Sequence, residues 1–593
     1  MADVTGTIDF GTNWGDGVKT DQRLRCWNRM GAATNKGQRN PDMFHPMDGG
    51  LDANDNVWKG WLNDDLDLQM MGVMYANKTL NAGVGGFDEL LTAGEWDDSW
   101  TNRWNDHYQY RQEDVIFKVL DGLVNHCGWV PYLQIFGPSV ACWDGQGTPA
   151  YPLNVQYKDQ YGNPYGNDIV KSFQNRLMLI FKSIQDNSWA MSTIATRAIQ
   201  FMADIVNMCY GGYGTGINNW IFSFGCEVEP FAWDGWFEFW EADGDQTGVN
   251  YCSSDSNCQK AQAIFYKALA DEVMGRSGCG SVKINVYEFL TQYALKQQVA
   301  WLYANRNNSP NYLEHIWGVS YHPYALFGDG ETNYVKAYRM IDYYSADDES
   351  FMWGLYNALN PQLDAYWDAQ KAASRNSHWD QPAEVLQPQS SIHAWQTAQN
   401  ITFSAGIYDA YLQTLSHYHD IKHMATWDEI SIFGIYPDPG NGADYPTFSS
   451  ASLYPRYGAM KLLRDTLNYS NGDRFCSTGL SSWQDLFQIG LKKADSLDRW
   501  VIWFNRGYYT NEGARTGPSY RDRSVALAVT LDTAWPQSGY YSQKFWKFDA
   551  DYNAPYYEGS ESAHYAYASR TINPAPTVPD QSITVMRLKY YSQ

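Results

Sequence analysis

An alternation constrains this chain more than any other feature. Between about residues 110 and 465, short β-branched or aromatic runs take turns with helical patterns. Two parallel strands need a crossover between them, usually a helix, so strand and helix in turn mark a parallel sheet. The run Gly128–Gly137 (GWVPYLQIFG) predicts a buried strand behind a helix around Val115–Val124. Ile169, Phe173, Leu177, Ile180 and Ile184 then fall on one helical face, and Ile199, Met202, Val206 and Tyr210 on another that ends at Gly211-Gly212. Asn219–Cys226 (NWIFSFGC) is the next strand, with Glu227 at its C-terminal end. A helix around Ala261–Met274 leads to strands at Val282–Phe289 and Ile316–Tyr321, and the latter runs into His322-Pro323-Tyr324. Long helical stretches follow near 333–373 and 401–416, then a last strand at His423–Trp427 (HMATW) and a closing helix at Pro455–Leu467. The expected architecture is a (β/α)8 barrel over residues 1–467.

The pattern changes after about residue 468. Arg499–Phe504, Ser524–Leu531 and Ser582–Leu588 are strands separated by Gly, Asn, Pro and Asp turns, without a helical period. These predict a β-sandwich over residues 468–593. No low-complexity linker precedes it, so a firm interface with the barrel is expected.

Composition narrows the partners. The net charge of −23 argues against nucleic acid and anionic lipid as partners, since both need a basic footprint. No run of 18 or more apolar residues exists to span a membrane. The segment MADVTGTIDFGTNWGDG has neither a basic start nor an apolar run, unlike a secretory signal. Aromatic residues reach 16%, with 26 Trp and 44 Tyr. Sugar rings pack their C–H faces on such flat rings while their hydroxyls seek polar tips. Of nine cysteines, Cys252 and Cys258 in a polar loop can bridge. No CxxC pair is present for zinc, and His417, His419 and His423 lack a Cys or Glu spaced to complete a site, so neither metal nor cofactor is expected.

Reacting groups in a barrel of this kind lie at the C-terminal ends of strands. The segment Trp220–Pro230 (WIFSFGCEVEP) therefore stands out. An apolar strand stops at Glu227, Glu229 follows, and an aromatic loop, FAWDGWFEFW, comes next. A carboxyl group facing an aromatic cleft is where a raised pKa makes a general acid.

Trp220–Glu227 resembles the fourth barrel strand of clan A glycoside hydrolases, in which a Trp-led strand ends in Asn-Glu-Pro. Trp317–Tyr324 (WGVSYHPY) resembles the sixth strand of that clan, and DQSITVMRL the last sandwich strand of its xylosidase, iduronidase and arabinofuranosidase branches. The resemblance implies a retaining enzyme that cleaves polysaccharide or oligosaccharide with two glutamates. Counting from Trp220 makes Glu227 the acid/base, and counting back from Pro230 makes it Glu229. Cys226 stands where the clan's Asn contacts the sugar 2-hydroxyl.

The nucleophile should close strand seven. Residues 377–395 remain for that strand, and Glu384 is their only glutamate, with Asp380 in reserve. His322 and Tyr324 resemble the clan's partners of the nucleophile, and Trp427 its sugar-stacking floor. Trp143, Trp233 and Trp236 are further stacking candidates. The rival expectation is a non-catalytic carbohydrate-binding or adhesin protein that retains the barrel. The compartment stays open among the cytoplasm, a non-secretory export route, and a virus particle carrying a depolymerase.

Overall fold

The computed structural model describes residues 4–11, 14–17, 25–29, 70–75, 130–135, 177, 180–213, 220–225, 256–289, 298, 301, 302, 304, 305, 310–321, 384–387, 406, 407, 410, 411, 414, 423–427, 455–468, 472–480, 486–505, 523–536, 539–549, 556–558, 565, 566, 571, 572, 575–580 and 582–592. Eight strands close into a barrel. In chain order they are β3 (Arg25–Arg29), β4 (Met70–Tyr75), β5 (Val130–Ile135), β6 (Ile221–Phe224), β7 (Lys283–Phe289), β8 (Gly318–Tyr321), β9 (Glu384–Gln387) and β10 (His423–Trp427). Every neighbouring pair is parallel, including the closing pair β10–β3. The pairing offsets accumulate to eight residues in one circuit, the shear that eight tilted strands need to close.

The ring order makes Ile221–Phe224 the fourth strand, Gly318–Tyr321 the sixth and His423–Trp427 the eighth, as the resemblance implies. The first two strands were not foreseen. Helices α1 (Thr193–Tyr213) and α2 (Ser256–Gly275) flank the fourth strand in sequence and pack against each other. Gly211-Gly212 does not end α1, which runs on to Tyr213. Leu177, Ile180, Phe181 and Ile184 are fully buried, as their spacing requires. Phe181 meets Phe265 and Tyr266 of α2 edge-on at 5.5 and 6.0 Å.

The second sheet joins β1 (Val4–Asp9), β2 (Trp14–Gly17), β11 (Arg474–Leu480), β12 (Leu486–Lys492), β13 (Arg499–Asn505), β14 (Arg523–Thr530), β15 (Tyr540–Asp549) and β19 (Ser582–Tyr591) with three short strands, β16 (Tyr556–Glu558), β17 (Tyr565–Ala566) and β18 (Thr577–Val578). It curls over itself. Val501 and Trp503 of β13 share one buried cluster with Val525 and Leu527 of β14, although three strands lie between them in the sheet.

One boundary needs correction. The N-terminal strand β1, expected within a barrel domain starting at residue 1, pairs with β11 and β14 of the sandwich sheet. Its alternation VTGTID buries Val4, Gly6 and Ile8, and Val4 and Ile8 join the sandwich core. Those apolar positions gain cover only from strands more than 450 residues away, which no local pattern reveals.

Barrel and sandwich share a packed seam. Tyr411 is buried with its ring 4.7 Å from Phe487 and 5.2 Å from Phe504. Helix α3 (Pro455–Leu467) lies on β15, and a side chain at Gly458 would strike the ring of Phe548. Past the helix, Lys493 donates to the Asn468 carbonyl and to Asp473 Oδ2 at 2.7 Å, which pins the crossover.

Candidate active site

The fourth strand shows how the barrel carries its side chains. Trp220, fully buried, stacks on Phe222 at 5.8 Å and meets Tyr210 of α1 edge-on at 6.2 Å. Both rings therefore lie on the helix side, which leaves Ile221 and Ser223 on the barrel side. Ser223 Oγ accepts a 2.7 Å hydrogen bond from Asn285 Nδ2 of the fifth strand, so that buried polar pair lines the interior. Gly225 ends the strand at φ 91°, a conformation that suits glycine, and its N–H donates to the Ile135 carbonyl at 2.7 Å. Cys226, Glu227 and Glu229 follow directly and lie outside the described residues. In the sequence, Glu227 comes three residues after Phe224, the last residue of that strand.

The C-terminal rim of the barrel receives Trp427, the last residue of the eighth strand. The sixth strand ends at Tyr321, immediately before His322. His322, Tyr324, Trp143, Trp233 and Trp236 lie outside the described residues.

Glu384 is a correction. It opens the seventh strand instead of closing it, and it pairs in register with Gly318, which opens the sixth. Since all eight strands run the same way, Glu384 belongs to the N-terminal rim, opposite the one that Glu227 follows. Asp380 precedes it, outside the described residues. Between Val385 and Tyr408 the sequence holds no Asp or Glu, so strand seven brings no carboxylate to its C-terminal end. Choosing Glu384 as the only glutamate in its window identified a residue but not its place in the strand.

Sequence reasoning passed over Glu288. It sits next to last in the fifth strand, KINVYEF, near the C-terminal rim.

One other cluster resembles a metal site. Asp271, Glu314 and His315 hold ligand atoms within 4.8 Å of one another, the single such group among the described residues. Lys267 Nζ already bridges Asp271 and Glu314 at 2.5 and 3.0 Å, so a cation is supplied by the chain itself. The network ties α2 to the turn entering the sixth strand, at the stabilising end of the barrel. His423 opens β10, and His417 and His419 lie outside the described residues. Cys258 is disulfide-bonded, while Cys279 and Cys476 are buried free thiols. Cys252 lies outside the described residues. Among those residues, no helix is long and apolar enough to cross a membrane.

No family model matches the chain, and no curated protein does. Solved structures do. An endoglucanase of glycoside hydrolase family 44 from Clostridium acetobutylium ATCC 824 is 10% identical, covers 99% of both chains and has a TM-score of 0.51. CelM2, a bifunctional glucanase-xylanase from a metagenome library, gives 10% identity, 99% coverage of both chains and a TM-score of 0.51. At that identity the likeness speaks for the fold, and it extends over the barrel and the sandwich together. The chain has the fold of these glycoside hydrolases.

Proposed function

We propose that the chain is a retaining, clan A glycoside hydrolase that cleaves polysaccharide at the C-terminal mouth of a (β/α)8 barrel. Glu227 is its acid/base, and Glu229 is the alternative for that role. One observation carries most of the weight: the fourth strand of a closed parallel barrel ends at Phe224, three residues short of Glu227. Barrels of this topology hold their chemistry at that end. Trp427 at the end of the eighth strand supports an aromatic floor for a sugar ring. Cys226, His322 and Tyr324, each just past a strand end, would contribute polar contacts. Trp143, Trp233 and Trp236 would extend the stacking surface into a cleft suited to a polymer.

In the mechanism, protonated Glu227 gives its proton to the glycosidic oxygen while a carboxylate attacks the anomeric carbon. Water then attacks the glycosyl-enzyme as Glu227 takes back a proton. No cofactor enters.

A second function has its own support. The place of Glu384 at the opening of strand seven is what a carbohydrate-binding protein without catalysis would tolerate. Reducing-end assays decide between them. The panel begins with glucans and xylan, the substrate classes named for the proteins of like fold, and continues with marine, plant and bacterial polysaccharides. Wild type should release reducing ends from at least one polymer, and Glu227→Gln should lose about 10²–10⁴-fold. Polymer binding without release would overturn the enzymatic assignment, and full activity in Glu227→Gln would overturn the role of Glu227.

A further inference from the structure

The sandwich carries a face that its core does not explain. β15 and β19 pair along their whole length, so their side chains alternate between two sides of the sheet. Tyr541, Phe545 and Leu588 point into the core cluster. The alternate positions therefore face away from it: Tyr540, Lys544 and Trp546 on β15, and Arg587, Lys589 and Tyr591 on β19. At one end of this outer side Phe548 is fully buried against Gly458 of α3. Toward the other end the cover stops. Lys544, Trp546, Lys589 and Tyr591 are half-buried, and Tyr540 is the one exposed large hydrophobic side chain among the described residues. Rings and positive charges interleave along this strip. Tyr540 lies opposite Tyr591, and Lys544 opposite Arg587. The Lys544 ammonium sits 4.8 Å from the centre of the Trp546 ring, and that of Lys589 sits 5.4 Å from the centre of Tyr591. From Tyr540 to Trp546 the strip runs about 20 Å at the usual rise of a strand.

We propose that this strip is a second polysaccharide site, outside the barrel, for a polymer whose sugars carry carboxylate groups. The inference takes its sugar ligand from the proposed function and needs no catalysis. Two features of the strip meet two features of such a polymer. Aromatic rings take the C–H faces of sugars, and ammonium and guanidinium groups take carboxylates through charge-assisted hydrogen bonds. The balance of charge on the strip runs against that of the chain. Overall the chain is at −23, yet the strip offers Lys544, Arg587 and Lys589. Asp498 meets Arg587 at 3.1 Å, and among the described residues Lys589 forms no ion pair. Repulsion from the rest of the surface fades beyond a Debye length of about 10 Å at 0.1 M salt, so the local charges decide what binds. A neutral polymer would leave those charges without a partner. A strip two strands wide also suits a linear chain better than the plane of a bilayer.

Affinity electrophoresis of the full chain tests this, in gels that contain polygalacturonate, alginate or glucuronoxylan. Wild type should be retarded by at least one of them, and much less by the same polymer after its carboxyl groups are reduced to alcohols. Lys544→Gln combined with Lys589→Gln should weaken binding about tenfold or more, the worth of one charge-assisted hydrogen bond, at an unchanged Tm. Tyr540→Ala should weaken it by less, through the loss of one stacking ring. Should the tyrosine variant melt early, the lysine pair decides alone. No retardation by any of the three polymers would overturn the inference. So would equal binding of the reduced polymer, wild-type binding in the lysine variant, or binding of dextran sulfate or phosphatidylserine vesicles in place of the uronate polymers. The two functions fail separately. A chain that cleaves a neutral polymer but binds no uronate loses this site and keeps the glycosidase reading, and an inert chain that binds through the strip does the reverse.

Discussion

Arg499 in the sandwich and Tyr287 in the barrel are both fully buried, and each breaks a local rule, the first by charge and the second by backbone conformation. The sandwich answers its exception on the spot. Asp532 accepts two hydrogen bonds from the Arg499 Nη2 group at 3.0 and 2.9 Å, and Lys492 reaches the same carboxylate at 2.7 Å. Phe10 and Trp535 flank the guanidinium at 5.8 and 5.6 Å. Within the barrel, the ring of Tyr266 packs on Tyr287 while the Tyr287 backbone keeps φ 56°. Among the described residues, Tyr287 is the one non-glycine position inside a strand with φ in that region. A backbone held in a sparsely populated region costs about 1–3 kcal/mol and persists only where the surrounding structure fixes it. The contrast separates a buried charge with its partners beside it from a backbone conformation held by the strands around it.

Removing the sandwich's compensation should give the largest effect. Asp532→Ala leaves Arg499 buried and unpaired, and should cost about 3–5 kcal/mol in denaturant unfolding. Replacing both partners with apolar residues, as in Arg499→Met with Asp532→Leu, should cost far less. Equal losses in the two variants would show that packing, not the unpaired charge, sets the cost.

Gly458→Ala probes the seam between the two regions. Its methyl group meets the Phe548 ring, so overpacking of about 1–3 kcal/mol should appear as a lower Tm. A variant as stable as wild type would mean that α3 is free to shift from the sheet.

Acid should find the same ion pair. Burial alone raises the Asp532 pKa, but the hydrogen bond from Lys492 and the charges of Arg499 and Lys492 outweigh it and hold the carboxyl below its ordinary range. A depressed pKa in the folded state gives stability that is full above the unfolded value of about 3.9 and is lost as pH falls through the folded value. Wild type should therefore lose stability more steeply below about pH 4 than Asp532→Asn does. Parallel acid limbs would refute the linkage.

The smallest effect is a rate. Burial pushes the Cys476 thiol up to about 12, so little thiolate exists near neutral pH. Alkylation by iodoacetamide at pH 7.5 should track global unfolding at Cys476. Faster labelling would mean that the sandwich core opens locally.

Much of this was legible in the sequence, and the gaps share a cause. HMATW is an apolar run between turn and charge signals, and its bounds match His423–Trp427. RCWNR and MMGVMY are strands only because the ring needs them; the first mixes in charge, and the second is rich in methionine, which lacks a strand preference. Glu384 could be found by elimination, but whether it opens or closes its strand depends on its register with Gly318, which is a property of pairing. The bulge at Tyr287, where the register with the sixth strand slips between Val286 and Phe289, was hidden for the same reason, since KINVYEF reads as a plain strand until the spacing of its partner is known. Periodicity reports which residues are buried. Register decides which end of the barrel they serve.

The central claim is that Glu227 gives and takes the proton of a double displacement, and stereochemistry tests it most directly. Glu227→Ala should still form the glycosyl-enzyme from a dinitrophenyl glycoside of the sugar released in the polymer assays, because that leaving group needs little protonation. Hydrolysis of the intermediate should stall without its general base, a role worth about 10²–10⁴-fold. Added azide needs no base, so it should restore turnover and yield a glycosyl azide of retained configuration, read by ¹H NMR. An inverted azide, or no rescue at any azide concentration, would contradict the account.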